Sequence, residues 1–109
     1  MGNFSYFQGS PAIVSAAGPS GPGTTTFSIT PGSNISLVSL GFQNEGFNVD
    51  FYASQMFIST GGTGWIQVVN TSASQITATP WAVQASSSGA AAVSGAKSTV
   101  KVTKGSKKK

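Results

Sequence analysis

The chain has 109 residues, room for one domain, and only 7% of them are charged, against about a quarter in an ordinary soluble domain. All six lysines fall in residues 97–109, while Glu45 and Asp50 are the only carboxylates, so residues 1–96 carry −2 and residues 97–109 carry +6. Cys and His are absent, which excludes disulfides and thiolate metal sites and removes the commonest general base.

Residues 1–11 read as an apolar N-terminal arm in which Phe4, Tyr6 and Phe7 precede Gly9-Ser10-Pro11. Three large apolar groups are costly to leave in water on a terminus, so they are expected to form a subunit contact or to cap the open end of the sandwich. Met1-Gly2-Asn3-Phe4-Ser5 approaches an acylation signal, but Tyr6 stands where Ser or Thr is required. A basic segment followed by an apolar one is missing, so no secretory signal is expected here. Gly18-Pro19-Ser20-Gly21-Pro22-Gly23 holds two collagen-like triplets, too few for a triple helix, and reads as a stiff loop.

A β body is expected over residues 12–85, because the dominant hydrophobic period is two. Phe27 and Ile29 alternate with Thr26, Ser28 and Thr30. Ile35 and Leu37 begin an alternation that changes phase to Val38, Leu40 and Phe42, which predicts a bulge or a crossing between sheets. Phe47, Val49, Phe51 and Ala53 alternate with polar partners, and Phe57 is expected to share their buried face. Ile66 and Val68 oppose Trp65, Gln67 and Val69, and Ile76 and Ala78 lead to Trp81 and Val83. Pro80 predicts an edge strand or a bulge there.

Turn signals at Pro31-Gly32-Ser33-Asn34, Asn44-Glu45-Gly46, Gly61-Gly62-Thr63-Gly64 and Asn70-Thr71-Ser72 separate these runs. Six to eight short strands at this spacing predict a small antiparallel β-sandwich, jelly-roll-like, with extended N- and C-terminal arms. Residues 86–96, rich in Ser, Ala and Gly, read as a linker. Residues 97–109 form a lysine-rich tail, within which Thr99-Val100-Lys101-Val102-Thr103 has the pattern of one more strand.

Catalysis requires a nucleophile with a base, paired carboxylates or a metal. Abundant Ser and Thr have no His to activate them, and Glu45 and Asp50 are separated by a turn. No enzyme activity, no cofactor and no metal site is expected. Three sequons, at Asn3, Asn34 and Asn70, arise readily in so Ser/Thr-rich a chain.

The tail is the most specific interaction signal. Lys97, Lys101, Lys104, Lys107, Lys108 and Lys109 would bind polyanions by counterion release, without reading base sequence. A solubilising or appended tail is the equal alternative. Trp65, Trp81, Tyr52 and Tyr6 could instead stack on a glycan, Trp65 or Trp81 with Asp50 and Asn48, or on bases. Core and subunit contacts are the first expectation for these rings. A nucleic-acid groove also needs lysine or arginine beside the aromatics, which residues 1–96 lack. The expectation is a self-assembling structural subunit, foremost a virion component such as a minor capsid, decoration or spike-base protein. Its partners would be copies of itself and, through the tail, nucleic acid. No membrane span and no small-molecule substrate are expected. A fibre or extracellular surface-appendage subunit joined by strand addition, and a carbohydrate-binding sandwich, are the alternatives.

Overall fold

The computed structural model describes residues 3–45, 50–86 and 98–104. Eight strands follow one another: β1 (Asn3–Gln8), β2 (Ala12–Val14), β3 (Gly23–Thr30), β4 (Ile35–Glu45), β5 (Phe51–Ile58), β6 (Gly64–Asn70), β7 (Ile76–Ser86) and β8 (Thr99–Lys104). All pairings are antiparallel and divide the strands into two sheets. In the first, β7 is central. β1 and β2 lie end to end along one side of it, and β4 runs along the other. The second has the order β5-β6-β3-β8.

The two sheets close on one apolar layer. Val14, Leu37, Ile76, Ala78 and Ala82 come from the first sheet, and Phe27, Ile29, Ile66 and Val68 from the second. Each fully buried Ile, Val or Phe contributes about 1.5–3 kcal/mol relative to exposure. The connections from β2 to β3, β3 to β4, β4 to β5, β6 to β7 and β7 to β8 pass between sheets, as Greek-key sandwiches require. Among the described residues, only β5 and β6 form a local hairpin, closed by Ser59 N–H donating to the Thr63 carbonyl (2.8 Å), with Gly62 at φ +94°.

The loop chemistry behaves as the residues dictate. Gly18 and Gly21 exchange backbone hydrogen bonds of 2.8 and 3.1 Å, so the collagen-like stretch is a tight turn. Asn34 takes φ +62° at the end of the Pro31–Asn34 turn, a conformation Asn tolerates better than most residues. The fully buried Asn70 carboxamide ties the end of β6 to β2. Its nitrogen donates to the carbonyls of Val14, Ser15 and Ser74, and its oxygen accepts from the Ser72 amide and hydroxyl. That burial closes the Asn70 sequon to glycosylation.

Two bulges set which residues face inward. The first is where the phase change predicts it: the β4–β7 register shifts between Leu37 and Ser39. Val38 is the extra residue and is 52% exposed, so the inward set after the bulge is Leu40 and Phe42, without Val38. The second lies in β5 between Ala53 and Gln55. An extra residue in a period-two strand exchanges its faces, so Met56 and Ile58 fall in register with Ile66 and Gly64, although at the sheet edge both stay exposed, 42% and 37%. Phe57 therefore faces out, 47% exposed, in place of the buried position expected for it. Phe47, Val49 and the preceding Gly46 and Asn48 lie outside the described residues, and Phe51 itself is half-buried.

Pro80 is neither on an edge strand nor in a bulge. It lies inside the central strand β7, opposite Phe42 of β4. Its carbonyl accepts from the Gly9 amide at 2.9 Å, and in an antiparallel ladder the N and O of one residue point to the same neighbour. The donor that proline lacks is therefore directed at residues 9–11, where β1 and β2 are interrupted. That gap serves as a local edge.

The segments expected to stand outside the body join it. Residues 3–8 pair along Ser86–Trp81 as β1, because their apolar alternation matches the pleat of β7. Thr99–Lys104 pair with Thr30–Thr25 as β8. Ser86, taken as the first linker residue, is the buried last residue of β7; residues 87–97 and 105–109 lie outside the described residues. Among the described residues no helix is long and apolar enough to cross a membrane.

Candidate interaction surfaces

The outer face of the first sheet is built by residues that alternate away from the core. β7 contributes Thr77, Thr79, Trp81, Val83 and Ala85. β1 places Phe4 opposite Ala85, Tyr6 opposite Val83 and Gln8 opposite Trp81. Phe4 is 71% and Tyr6 58% exposed, and the Tyr6 and Trp81 rings lie 5.9 Å apart at 33°. Trp81 can lie flat over β4 because its partner there is Gly41, where a Cβ would overlap the indole ring. Among the described residues, the face carries no charged side chain until Glu45, opposite Thr77 at its far end.

The three residues expected to form one subunit contact are therefore divided. Phe4 and Tyr6 point outward, whereas Phe7 points inward and packs on the protein's own core. The period of two separates neighbours Tyr6 and Phe7 onto opposite faces.

The outer face of the second sheet is different. The rung Phe57–Trp65–Ser28–Lys101 crosses all four strands. Trp65 is 36% exposed and Lys101 is exposed, while Ser28 between them is only 8% exposed, as a small residue between two large ones is. Beside that rung runs a polar one: the Ser54 hydroxyl donates to the Gln67 carboxamide oxygen, and the Gln67 nitrogen donates to Thr26 Oγ1 at 3.3 Å. Further along, Tyr52, 53% exposed, stands opposite Val69.

Trp65 and Trp81 consequently lie on opposite outer faces of the sandwich and cannot share one glycan platform. Asp50 is exposed just before β5, and Asn48 lies outside the described residues. The lysines expected to act as one flexible tail are also divided. Lys101 and Lys104 belong to β8, and Lys97, Lys107, Lys108 and Lys109 lie outside the described residues. The sequence puts no lysine near the aromatics of the body; β8 brings Lys101 into their rung.

A third feature is a cleft of about 280 Å³ between the β1–β2 interruption and β8, lined by Phe7, Gly9, Pro11, Ser98, Val100 and Val102 among others. At Gly9 a Cβ would come 2.7 Å from a Val100 methyl, so glycine permits the close approach of β8. Below it, Ser98 Oγ donates to Gln84 Oε1 (2.6 Å) and Gln84 Nε2 donates to Ser5 Oγ (3.3 Å), a chain linking both sheet edges. The described lining residues bring hydroxyls, the Gln8 carboxamide, backbone and apolar groups, and no acid or base. No family model, curated protein or solved structure matches the chain.

Proposed function

We propose that the chain is a non-enzymatic structural subunit that assembles with copies of itself, as a virion component of the minor capsid, decoration or spike-base kind. The observation that carries this reading is the outer face of the first sheet. Phe4 and Tyr6 stand exposed beside Trp81 on a surface whose first charge is Glu45 at its end. An uncharged face bearing large aromatics loses little on desolvation and gains by contact with another such face. The body as a whole has only two charged side chains in residues 1–96, so little repulsion opposes association. The neighbours β2–β7–β4 in one layer and β8–β3–β6 in the other support a jelly-roll form for the sandwich, with β5 extending the second layer.

Light scattering on the full chain tests the proposal. We expect a mass several times the 11.0 kDa of one chain. Tyr6→Lys, which places a charge beside Trp81 on this face, is expected to return the monomer without unfolding it. A monomer at high concentration in physiological salt refutes the reading. A fibre subunit joined by strand addition is the second reading. It is favoured by one observation: β1 lies on a sheet edge and is joined to β2 through Gly9-Ser10-Pro11. In that case β1 would leave β7 of its own chain for β7 of the next.

A further inference from the structure

We infer that the outer face of the second sheet is a binding site for single-stranded nucleic acid, with Trp65 and Phe57 stacking on bases and Lys101 meeting a phosphate. Three independent features converge there. Tyr52, Phe57 and Trp65 are exposed aromatics on one face. The row of Tyr52 and that of Trp65 are about 13 Å apart, two steps of two residues along the strand, so more than one base can be held. Stacking accepts any base because each has a π-face.

The polar rung between those rows supplies hydrogen-bonding groups level with base edges. It comprises Ser54, Gln67 and Thr26, already held in line by their own bonds, and Thr103 opposite Thr26 on β8.

Charge decides the occupant. Lys101 lies on β8, an edge strand of the sheet, in the same outward rung as Trp65 and Phe57. Asp50 precedes β5, the strand on the opposite edge. A polyanion laid across the sheet would therefore meet the Lys101 cation at one edge and the Trp65 and Phe57 rings beyond it. A second copy of this chain fits less well, since Glu45 and Asp50 are its only carboxylates and neither lies in the lysine rung. A neutral glycan would leave Lys101 without a role.

This site adds a nucleic-acid contact to the proposed subunit and is separable from its assembly. A parent chain that assembles as expected but does not bind single strands would count against this face alone.

The test titrates the full chain with labelled oligothymidylate and with a duplex of equal length, at several salt concentrations. Trp65→Ala is expected to weaken single-strand binding about 5- to 150-fold, leaving duplex affinity and salt slope unchanged. Lys101→Gln is expected to reduce the single-strand salt slope by about 0.7. In a Trp81→Phe chain, Trp65 is the sole tryptophan, and its emission should be quenched as oligothymidylate is added. This readout needs no change at Trp65 itself. Equal affinity of Trp65→Ala and the parent chain for oligothymidylate, or Trp65 emission that does not respond to saturating strand, overturns the proposal. So does salt-independent retention on a neutral β-glucan without oligothymidylate binding.

Discussion

Gly41→Ala is a single-methyl change whose effect follows from one contact. Gly41 lies on the outer side of β4, directly opposite Trp81, and a Cβ there would overlap the ring at Cζ2 and Cε2. In an unobstructed strand the same change would stabilise by about 0.5–1 kcal/mol, because alanine loses less backbone entropy. Here the indole must swing out. Overpacking of this kind costs about 1–3 kcal/mol, and losing the Tyr6–Trp81 ring contact adds about 0.5–1.5 kcal/mol. The net expectation is a destabilisation of about 1–3 kcal/mol, with the entropic gain subtracted. Urea unfolding followed by far-ultraviolet circular dichroism measures it directly. A double-mutant cycle isolates the cause. In a Trp81→Ala background the obstruction is gone, and Gly41→Ala should be neutral or stabilising. An equal loss in both backgrounds, or a gain in the parent chain, would refute the placement of the indole over β4.

Phe27→Ala, at a fully buried position between the sheets, should cost about 3–5 kcal/mol, enough to threaten a domain this small. Phe51→Ala, at a half-buried site whose ring meets Phe42 edge-on at 6.0 Å, should cost clearly less. Thermal melts of the two variants in parallel check that order, and a reversal would place the core wrongly. Asn70→Ala removes the group that satisfies three carbonyls and the Ser72 amide, and should cost about 2–4 kcal/mol. Hydrogen exchange should then rise first in the β6–β7 loop and at the end of β2. Removing residues 105–109 deletes half of the six lysines. It should roughly halve the salt slope for duplex DNA while leaving the β8 pairing and the melting temperature unchanged.

Much of this architecture is already present in local sequence. The all-β class follows from period-two alternation in Phe27–Ile29, Ile66–Val68 and Ile76–Ala78, since an apolar face repeating every second residue can be buried only by a strand. The β4 bulge is visible because Leu37 and Leu40 differ in phase. The turns at Asn34 and Gly62 are visible because few other residues adopt positive φ there.

Other features depend on partners distant in the chain. The β5 bulge is hidden because Met56, Phe57 and Ile58 are all apolar, so either phase looks equally good until β6 fixes the register. β1 has the composition of an arm, and only the free side of β7 makes it a strand. Pro80 is compatible with a central strand only because the β1–β2 interruption lies opposite its nitrogen. The two interaction faces were illegible for the same reason. Trp65 and Trp81 look alike in sequence, yet the sandwich turns them to opposite sides. Lys101 sits thirty-six positions from Trp65 in the chain, and only the pairing of β8 with β3 brings it into the same rung. Local sequence specifies strand propensity and turn chemistry, because both depend on a residue and its nearest neighbours. Register, and with it the set of side chains that share a face, is a property of pairs of strands and is decided only when the sheets form.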